Sequence, residues 1–265
     1  MKVLVLSLLA AATLWSPQSA LAQSPFQGTW KVDMNKVTLP KKPDVMLLDH
    51  GIFECKSCVP AFKGAANGKD QPVTGVPYFN SLAVNVKSDH VVDLAGKKDG
   101  KIVWTNHSVV SADGNTLTTD FTDSSNTNGG SPVTGKSVET RLSKGPAGSH
   151  LISGSWRQTK MENMSDNATS WSYKVNGDQV TMTNRTGQSY TARLNGPDAP
   201  MKGDPGVTSV SVKTLGPHVL QEIGKRNGKI VSIQTLTVSP DNKTAKVHFE
   251  DKVQNTSMEF VAVKQ

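Results

Sequence analysis

Apolar and polar residues alternate over many short stretches of the chain. Leu82, Val84 and Val86 are separated by single residues, and Val210 and Val212 repeat the arrangement further along. Successive side chains of a strand point to opposite faces, so a period of two predicts strands that bury one face. Apolar stripes with the 3.6-residue helical period do not reach helical length in this sequence. The pattern therefore indicates an all-β chain.

Turn-forming dipeptides separate the predicted strands. Asp99-Gly100 and Asn227-Gly228 each lie between two strand-like runs. Both central residues of the tightest hairpins need positive φ, which Asp, Asn and Gly tolerate. Asp113-Gly114 and Asp241-Asn242 mark the next turn at corresponding positions. Short strands joined by hairpins at a spacing of about ten residues predict an antiparallel barrel or sandwich.

The chain contains an internal duplication. Residues 97–121 align without gaps to residues 225–249 at an offset of 128, and 10 of the 25 positions are identical. Unrelated sequences of ordinary composition would share about one or two. Near the start, residues 26–31 resemble residues 152–157 at an offset of 126.

The end of each copy and the boundary between the copies follow from the same comparison. Residues 137–145 align with 257–265 at an offset of 120, after a longer loop in the first copy. A Gly-, Pro- and Ser-rich segment, 143–150, separates the copies. We predict one barrel-like domain over 23–145 and a second over 146–265. The alternative is one continuous sheet to which both copies contribute strands.

The first 22 residues have the composition of a secretory signal peptide. Lys2 precedes an uncharged apolar stretch over 3–15, and Ala20 and Ala22 supply the small residues that a signal peptidase recognises. We expect cleavage after Ala22 and a periplasmic or secreted protein, with an uncleaved anchor as the alternative. Beyond Ala22 no apolar run is long enough to cross a bilayer as a helix, so no transmembrane segment is predicted.

The charge of the chain is moderately positive. The formal net charge is +7, but basic residues occur as scattered pairs such as Lys41-Lys42 and Lys97-Lys98. A positive excess favours an anionic envelope surface or an anionic ligand. Scattered pairs without a basic arm or stripe do not predict nucleic-acid binding.

The first copy begins with a motif known from a large family of barrels. Phe26, Gly28, Trp30 and Lys31 form F-x-G-x-W followed by a basic residue, and Arg141 lies near the end of the copy. This resembles the calycin superfamily of lipocalins and fatty-acid-binding proteins. The resemblance implies two tandem antiparallel β-barrels, or barrel-like sandwiches, that bind a ligand inside.

The same resemblance assigns structural roles to a few residues. It implies that Trp30 packs against Arg141 at the closed end of the first barrel, with Trp156 as the tryptophan of the second copy. In the alignment, Val261 occupies the place of Arg141 in the second copy.

The chain as a whole resembles a group of uncharacterised exported bacterial proteins that are sometimes called lipocalin-like. The shared segments are F-E-C-K-S-C-V-P at 53–60 and D-Q-P-V-T-G at 70–75. The resemblance implies export and the calycin-like architecture, and it implies no particular activity.

The only two cysteines, Cys55 and Cys58, are spaced C-x-x-C. An exported pair favours a disulfide. Aligned at the offset of 128, they replace Thr183 and Thr186, so the cysteines are predicted at positions i and i+3 of a β-turn, with Cα atoms within about 7 Å. A redox-active pair and half a metal site are the alternatives. Val59 excludes the haem motif C-x-x-C-H.

Candidate ligand-binding residues come from the aromatic positions of the first copy. They are Phe53, Phe62, Tyr78, Trp104, Phe121 and, as a partner for an anionic head group, Arg141. Ser232 stands in the second copy where the first has Trp104. The sequence has no G-x-S-x-G, H-E-x-x-H or phosphate-binding glycine loop, so no catalytic residue, metal or cofactor is predicted.

The sequence is compatible with three functions. The first is a non-catalytic binding protein for a small hydrophobic or anionic amphipathic ligand. The second is a structural or interaction module of the cell envelope without a cavity. The third is a thiol–disulfide protein that uses Cys55 and Cys58. The oligomeric state is not predicted.

Overall fold

The computed structural model describes residues 24–265 and consists of two antiparallel sheets with ten strands each. The predicted signal peptide and its cleavage site after Ala22 lie outside the described residues. A single turn of 3₁₀ helix, Asp166–Ala168, interrupts the strands. In chain order the strands are β1 (Gly28–Thr38), β2 (Asp44–Asp49), β3 (Ile52–Cys55), β4 (Phe62–Ala65), β5 (Asp70–Pro72), β6 (Ser81–Ser88), β7 (Val91–Lys98), β8 (Lys101–Val110), β9 (Thr116–Asp123), β10 (Val133–Lys144), β11 (Gly154–Glu162), β12 (Ser170–Asn176), β13 (Gln179–Asn184), β14 (Ser189–Arg193), β15 (Ala199–Pro200), β16 (Ser209–Gly216), β17 (Val219–Arg226), β18 (Lys229–Val238), β19 (Thr244–Asp251) and β20 (Thr256–Lys264).

Each sheet curls into a nearly closed, barrel-like form, which confirms the predicted fold class. The first barrel has the strand order β4-β3-β2-β11-β10-β9-β8-β7-β6-β5, and so consists of β2 through β11. The second barrel has the order β14-β13-β12-β1-β20-β19-β18-β17-β16-β15, and so consists of β1 and β12 through β20. Both are meanders in which most neighbouring strands are also neighbours in sequence.

The two copies exchange their first strands. β1 belongs to the first copy, yet it pairs with β12 and β20 of the second barrel. β11 begins the second copy, yet it pairs with β2 and β10 of the first barrel. The predicted division into barrel domains at 23–145 and 146–265 follows the repeats, but neither barrel is one of these segments, because each barrel takes one strand from the other repeat.

The predicted hairpin turns have the expected backbone conformation. Asp99 and Gly100 have φ of 51° and 80°, and Asn227 and Gly228 have φ of 51° and 80°. These turns connect β7 to β8 and β17 to β18, and they leave Lys98 paired with Lys101 at the tip of the first hairpin. Matching turns in the two copies explain why the repeats keep the same register over their central strands.

A tryptophan is buried at one end of each barrel. Trp156 donates from Nε1 to the carbonyl oxygen of Ile152 (2.8 Å), and the guanidinium carbon of Arg141 lies 3.9 Å from the ring centroid. Trp30 donates to the carbonyl of Phe26 (2.9 Å), and Lys264 Nζ lies 4.8 Å from its ring centroid. These cation–π contacts cover both rings.

The predicted pairing of Trp30 with Arg141 is wrong, and the strand exchange is the reason. Arg141 pairs in register with Trp156, while Trp30 pairs with Lys264. Lys264, rather than Val261, is therefore the counterpart of Arg141, and the offset between the last strands is 123 instead of 120. The basic residue opposite the tryptophan is kept in both barrels.

Among residues 24–265, no helix is long and apolar enough to span a membrane.

Candidate functional site: a cavity shared by the two barrels

One cavity of about 870 Å³ is lined by residues of both barrels. The predicted aromatic residues Phe53, Phe62, Tyr78, Trp104 and Phe121 all line it. From the second barrel, the lining includes Met182, Tyr190, Met201, Val210 and Phe249. Since the lining is mainly apolar, the cavity has the character of a small-molecule site.

Arg141 lies away from the cavity lining. Its guanidinium donates to the carbonyl oxygens of Gly114, Leu151 and Ser153, the last at 2.7 Å, and stacks on Trp156. Because its N–H groups donate to main-chain carbonyls, Arg141 stabilises the end of the barrel. The structure therefore gives its predicted head-group role no geometric support.

The cavity crosses the junction between the barrels, where Tyr78 is a central contact. Its hydroxyl donates to Oδ1 of Asp204 (3.1 Å), in the loop between β15 and β16, and Asn126 Nδ2 donates to Oδ2 (3.2 Å). Burial and the Asp204 carboxylate raise the pKa of Tyr78, so the phenol stays a donor. A Cβ on Gly206 would lie 1.9 Å from the Tyr78 hydroxyl, which makes glycine necessary there.

An indole in the first barrel is replaced by a serine in the second barrel. Trp104 packs edge-on against Phe79, with centroids 5.3 Å apart, and lies over Gly96, its partner on β7. A Cβ on Gly96 would lie 2.0 Å from Trp104 Nε1. In the second barrel Ser232 pairs with Gly224 in the same register. Ser232 and the side chain of Val207 lie against Gly224, and all three residues line the cavity.

The two cysteines form a disulfide at the cavity wall. Their Cα atoms are 5.4 Å apart, within the predicted limit. Cys58, Val59 and Pro60 line the cavity, so the bond constrains a loop of the site.

The predicted equivalence of Cys55 with Thr183 is shifted by one residue. Cys55 pairs with Phe62 as Met182 pairs with Tyr190, so Met182 is the counterpart of Cys55. The connection that follows is one residue longer in the second copy. An ungapped alignment cannot place such an insertion.

The first barrel also carries polar side chains on its inner face. Ser108 and Thr119 are buried and hydrogen-bonded to each other at 3.0 Å. Ser137 and Glu139 of β10 continue this inner face, and Glu139 is 8% exposed. Burial and the nearby Asp44 carboxylate raise the pKa of Glu139 to about 7. A partly neutral carboxyl group therefore lies inside the first barrel near neutral pH.

The second barrel holds its own buried carboxyl group. Glu222 of β17 accepts hydrogen bonds from the Tyr190 hydroxyl and from Gln234 Nε2, the latter at 2.7 Å. Burial raises the pKa of Glu222, and these two donors oppose the shift. Glu222 is therefore held by the protein's own donors.

The charged lining of the cavity is predominantly acidic. It comprises five carboxyl residues and one basic residue, namely Asp44, Glu139, Asp204, Glu222, Asp251 and Arg226. The whole chain has a formal net charge of +7, so the lining is opposite in sign to the protein as a whole. The cavity thus differs electrostatically from the basic exterior.

Sequence reasoning missed Glu139 and Glu222, although a signal for them existed. Glu139 follows Ser137 by two residues on β10, and Glu222 follows the buried Leu220 by two on β17. Residues two apart on a strand share a face. The alternation of inward and outward side chains along β10 and β17, applied to polar as well as apolar residues, predicts that both carboxyl groups face the barrel interior.

Comparison of the chain with protein-family models, with curated proteins and with solved structures gave no match. The fold and the site together define a protein of two nearly closed, barrel-like sheets that share an internal cavity. This architecture is consistent with a calycin-like fold.

Proposed function

We propose that the protein is an exported, non-catalytic binding protein that holds a small hydrophobic or amphipathic ligand in the cavity shared by its barrels. The observation that carries the proposal is the cavity of about 870 Å³, whose lining is mainly apolar and aromatic. Small-molecule sites typically measure about 300–1,000 Å³ and combine apolar walls with a few polar groups. Close-packed interiors contain few voids much larger than a water molecule.

The distribution of aromatic residues supports this proposal. Phe79 and Trp104 form an edge-to-face pair on the first-barrel wall, and Phe53 and Phe62 lie 6.4 Å apart, centroid to centroid, beside the disulfide loop. Rigid aromatic surfaces contribute large contact areas at little cost in side-chain entropy. The first barrel thus provides most of the aromatic lining, and the second barrel has Ser232 in place of the indole.

Export is supported by the residues rather than by the fold. The first 22 residues match a secretory signal, and disulfides persist in oxidising compartments. The Cys55–Cys58 bond fits such a location. A periplasmic or secreted binding protein would meet hydrophobic molecules in an aqueous space where they need a carrier.

Native mass spectrometry of the protein purified from its natural source, without denaturation, tests the proposal. We expect a bound small molecule, released on denaturation, together with saturable binding of an uncharged fluorescent hydrophobic probe such as Nile red and displacement of that probe by the released molecule. A bare protein mass combined with no probe binding would contradict the proposal. A co-purifying macromolecule in place of the small molecule would favour the interaction-module alternative.

A further inference from the structure

The first barrel carries a connected set of polar side chains on its inner face. Ser108 on β8 lies opposite Thr119 on β9, and Thr119 lies opposite Ser137 on β10. Glu139 follows Ser137 on the same face of β10, and all four residues are buried and line the cavity. We call these four residues the polar belt.

The second copy shows that the fold does not require the polar belt. The strand pairing of the second barrel identifies the residue that corresponds to each residue of the polar belt. The offset in residue number is 128 for β18 and β19 and 123 for β20. The counterparts of Ser108, Thr119, Ser137 and Glu139 are Leu236, Val247, Phe260 and Ala262. All four are apolar, so the same barrel forms with an apolar belt. The barrel fold therefore does not explain why these four positions are polar in the first barrel.

Glu139 has unused hydrogen-bonding capacity. Its Oε2 is buried and has no hydrogen-bond partner among the described residues. A β-bulge between Val138 and Glu139 interrupts the pairing of β10 with β11. Bulges of this kind re-aim side chains and are frequent beside functional sites. An unpaired buried acceptor costs free energy unless a donor reaches it.

The charges around Glu139 determine whether a cationic or an anionic ligand group is favoured beside it. Asp44 and Glu139 interact electrostatically, and each carries an acidic group at the cavity wall. The single basic residue of the lining, Arg226, belongs to the second barrel. An anionic head group would meet like charges in the first barrel, whereas a cation would offset them.

We propose that the ligand is a cationic amphiphile, whose protonated amine is bound by Glu139 in the polar belt while its apolar part lies along the aromatic wall of the cavity. This inference rests on the proposed ligand-binding function. Ser137, which is hydrogen-bonded to Glu139, and Thr119 opposite it supply the hydroxyl oxygens that accept the remaining N–H groups of an ammonium. Charge-assisted hydrogen bonds between an ammonium and a carboxylate are stronger than neutral ones. Burial and Asp44 both disfavour ionised Glu139, and a bound cation opposes both effects.

The test compares three probes that share one chain and differ in head group. Decylamine, decanol and decanoate are titrated into the full-length protein by isothermal titration calorimetry at pH 7, each below its critical micelle concentration or, for decanol, its solubility limit. We expect decylamine to bind at least tenfold more tightly than decanol, and decanoate to bind more weakly than either. Equal or tighter binding of decanol or decanoate would overturn the inference and leave the proposed function intact. Absence of binding by all three would overturn both.

A matched pair of variants assigns the preference to one residue. Glu139→Gln should reduce the amine-over-alcohol ratio to within about threefold, while decanol binding changes little. Asp120→Asn removes an exposed carboxylate, one strand away on β9, that pairs with Lys136 on the surface. This control should retain the tenfold ratio. If Glu139→Gln also retains the ratio, or if Asp120→Asn loses it, Glu139 is not the recognition group.

Discussion

At the scale of single residues, Glu139 links the chemistry of the site to the stability of the fold. A carboxyl group usually titrates near pH 4.5, and burial together with Asp44 raises the pKa of Glu139 to about 7. Between these values the folded state keeps a proton that the unfolded state has released. The free energy of unfolding therefore falls as the pH rises through this window, by at most about 3 kcal/mol.

Glu139→Gln should remove this dependence. The variant is expected to match the wild type at pH 4.5, where Glu139 is protonated in the folded state, and to exceed it by up to about 3 kcal/mol at pH 8. Urea denaturation at the two pH values measures the difference. Asp120→Asn, which removes an exposed carboxylate, should show no such gain at pH 8. A Glu139→Gln variant less stable than the wild type at pH 8 would contradict the assigned direction of the pKa shift.

The Cys55–Cys58 disulfide is a second single-residue feature that affects the stability of the fold. Replacing Cys55 and Cys58 together by serine releases a four-residue loop, for which the chain-entropy model gives about 2 kcal/mol. We expect that loss of unfolding free energy in urea, with an unchanged β-sheet signal in far-ultraviolet circular dichroism. Reduction of the wild type with dithiothreitol should give the same loss. A change in sheet content would show instead that the bond is required for the fold.

At the scale of strands, the exchange of β1 and β11 is the main feature that the sequence does not reveal. Both strands carry the pattern G-x-W followed by a basic residue, from Gly28 in β1 and, as G-S-W-R, from Gly154 in β11. The local pattern of each strand therefore fits either barrel, and alternation does not distinguish the two arrangements. The connection after β1 contains Pro40 and Pro43, which cannot donate to a ladder, so the chain leaves the second barrel there.

Engineered cross-links test the exchange directly. Thr29 on β1 lies opposite Ser172 on β12, with their hydroxyl oxygens 2.8 Å apart. In a background lacking the native cysteines, Thr29→Cys with Ser172→Cys should form an intramolecular disulfide on mild oxidation, detected by peptide mass spectrometry.

A second pair serves as the control for the cross-link. Without exchange, Thr29 would take the place of Ser155 in the first barrel, opposite Val45 on β2. Thr29→Cys with Val45→Cys should therefore stay unlinked. Linkage of the second pair and not the first would contradict the exchanged topology.

Other elements could be predicted because their signals are local. Positive φ at Asp99-Gly100 and the alternation around Val84 depend on a few neighbouring residues, and both appear in the structure as expected. The aromatic lining is predictable for a similar reason, since large apolar side chains of a barrel strand pack on its inner face. The partner of Arg141 cannot be predicted in this way, because sequence order does not show which barrel a strand joins, and Arg141 contacts Trp156 instead of Trp30.

At the scale of the whole molecule, the duplication has produced two barrels that share one cavity and contribute different parts of it. The first barrel supplies the polar belt, the disulfide loop and the Trp104 indole, while the second supplies Glu222, Tyr190 and Ser232 in place of the indole. Divergence at a few inner positions has differentiated two equivalent scaffolds without changing their strand order. Ligand binding would then depend on both barrels and not on either copy alone.

The central claim, that a ligand occupies the shared cavity, is tested most directly by filling the cavity with a side chain that the fold already accommodates. Ser232→Trp recreates over Gly224 the packing of Trp104 over Gly96, because both pairs occupy the same register. Thr237→Trp places the same side chain on an exposed position of β18 as the control. Titration of an uncharged fluorescent hydrophobic probe such as Nile red should show at least a tenfold loss of affinity for Ser232→Trp and none for Thr237→Trp. Equal probe affinity in the wild type and both variants would contradict ligand binding in this cavity.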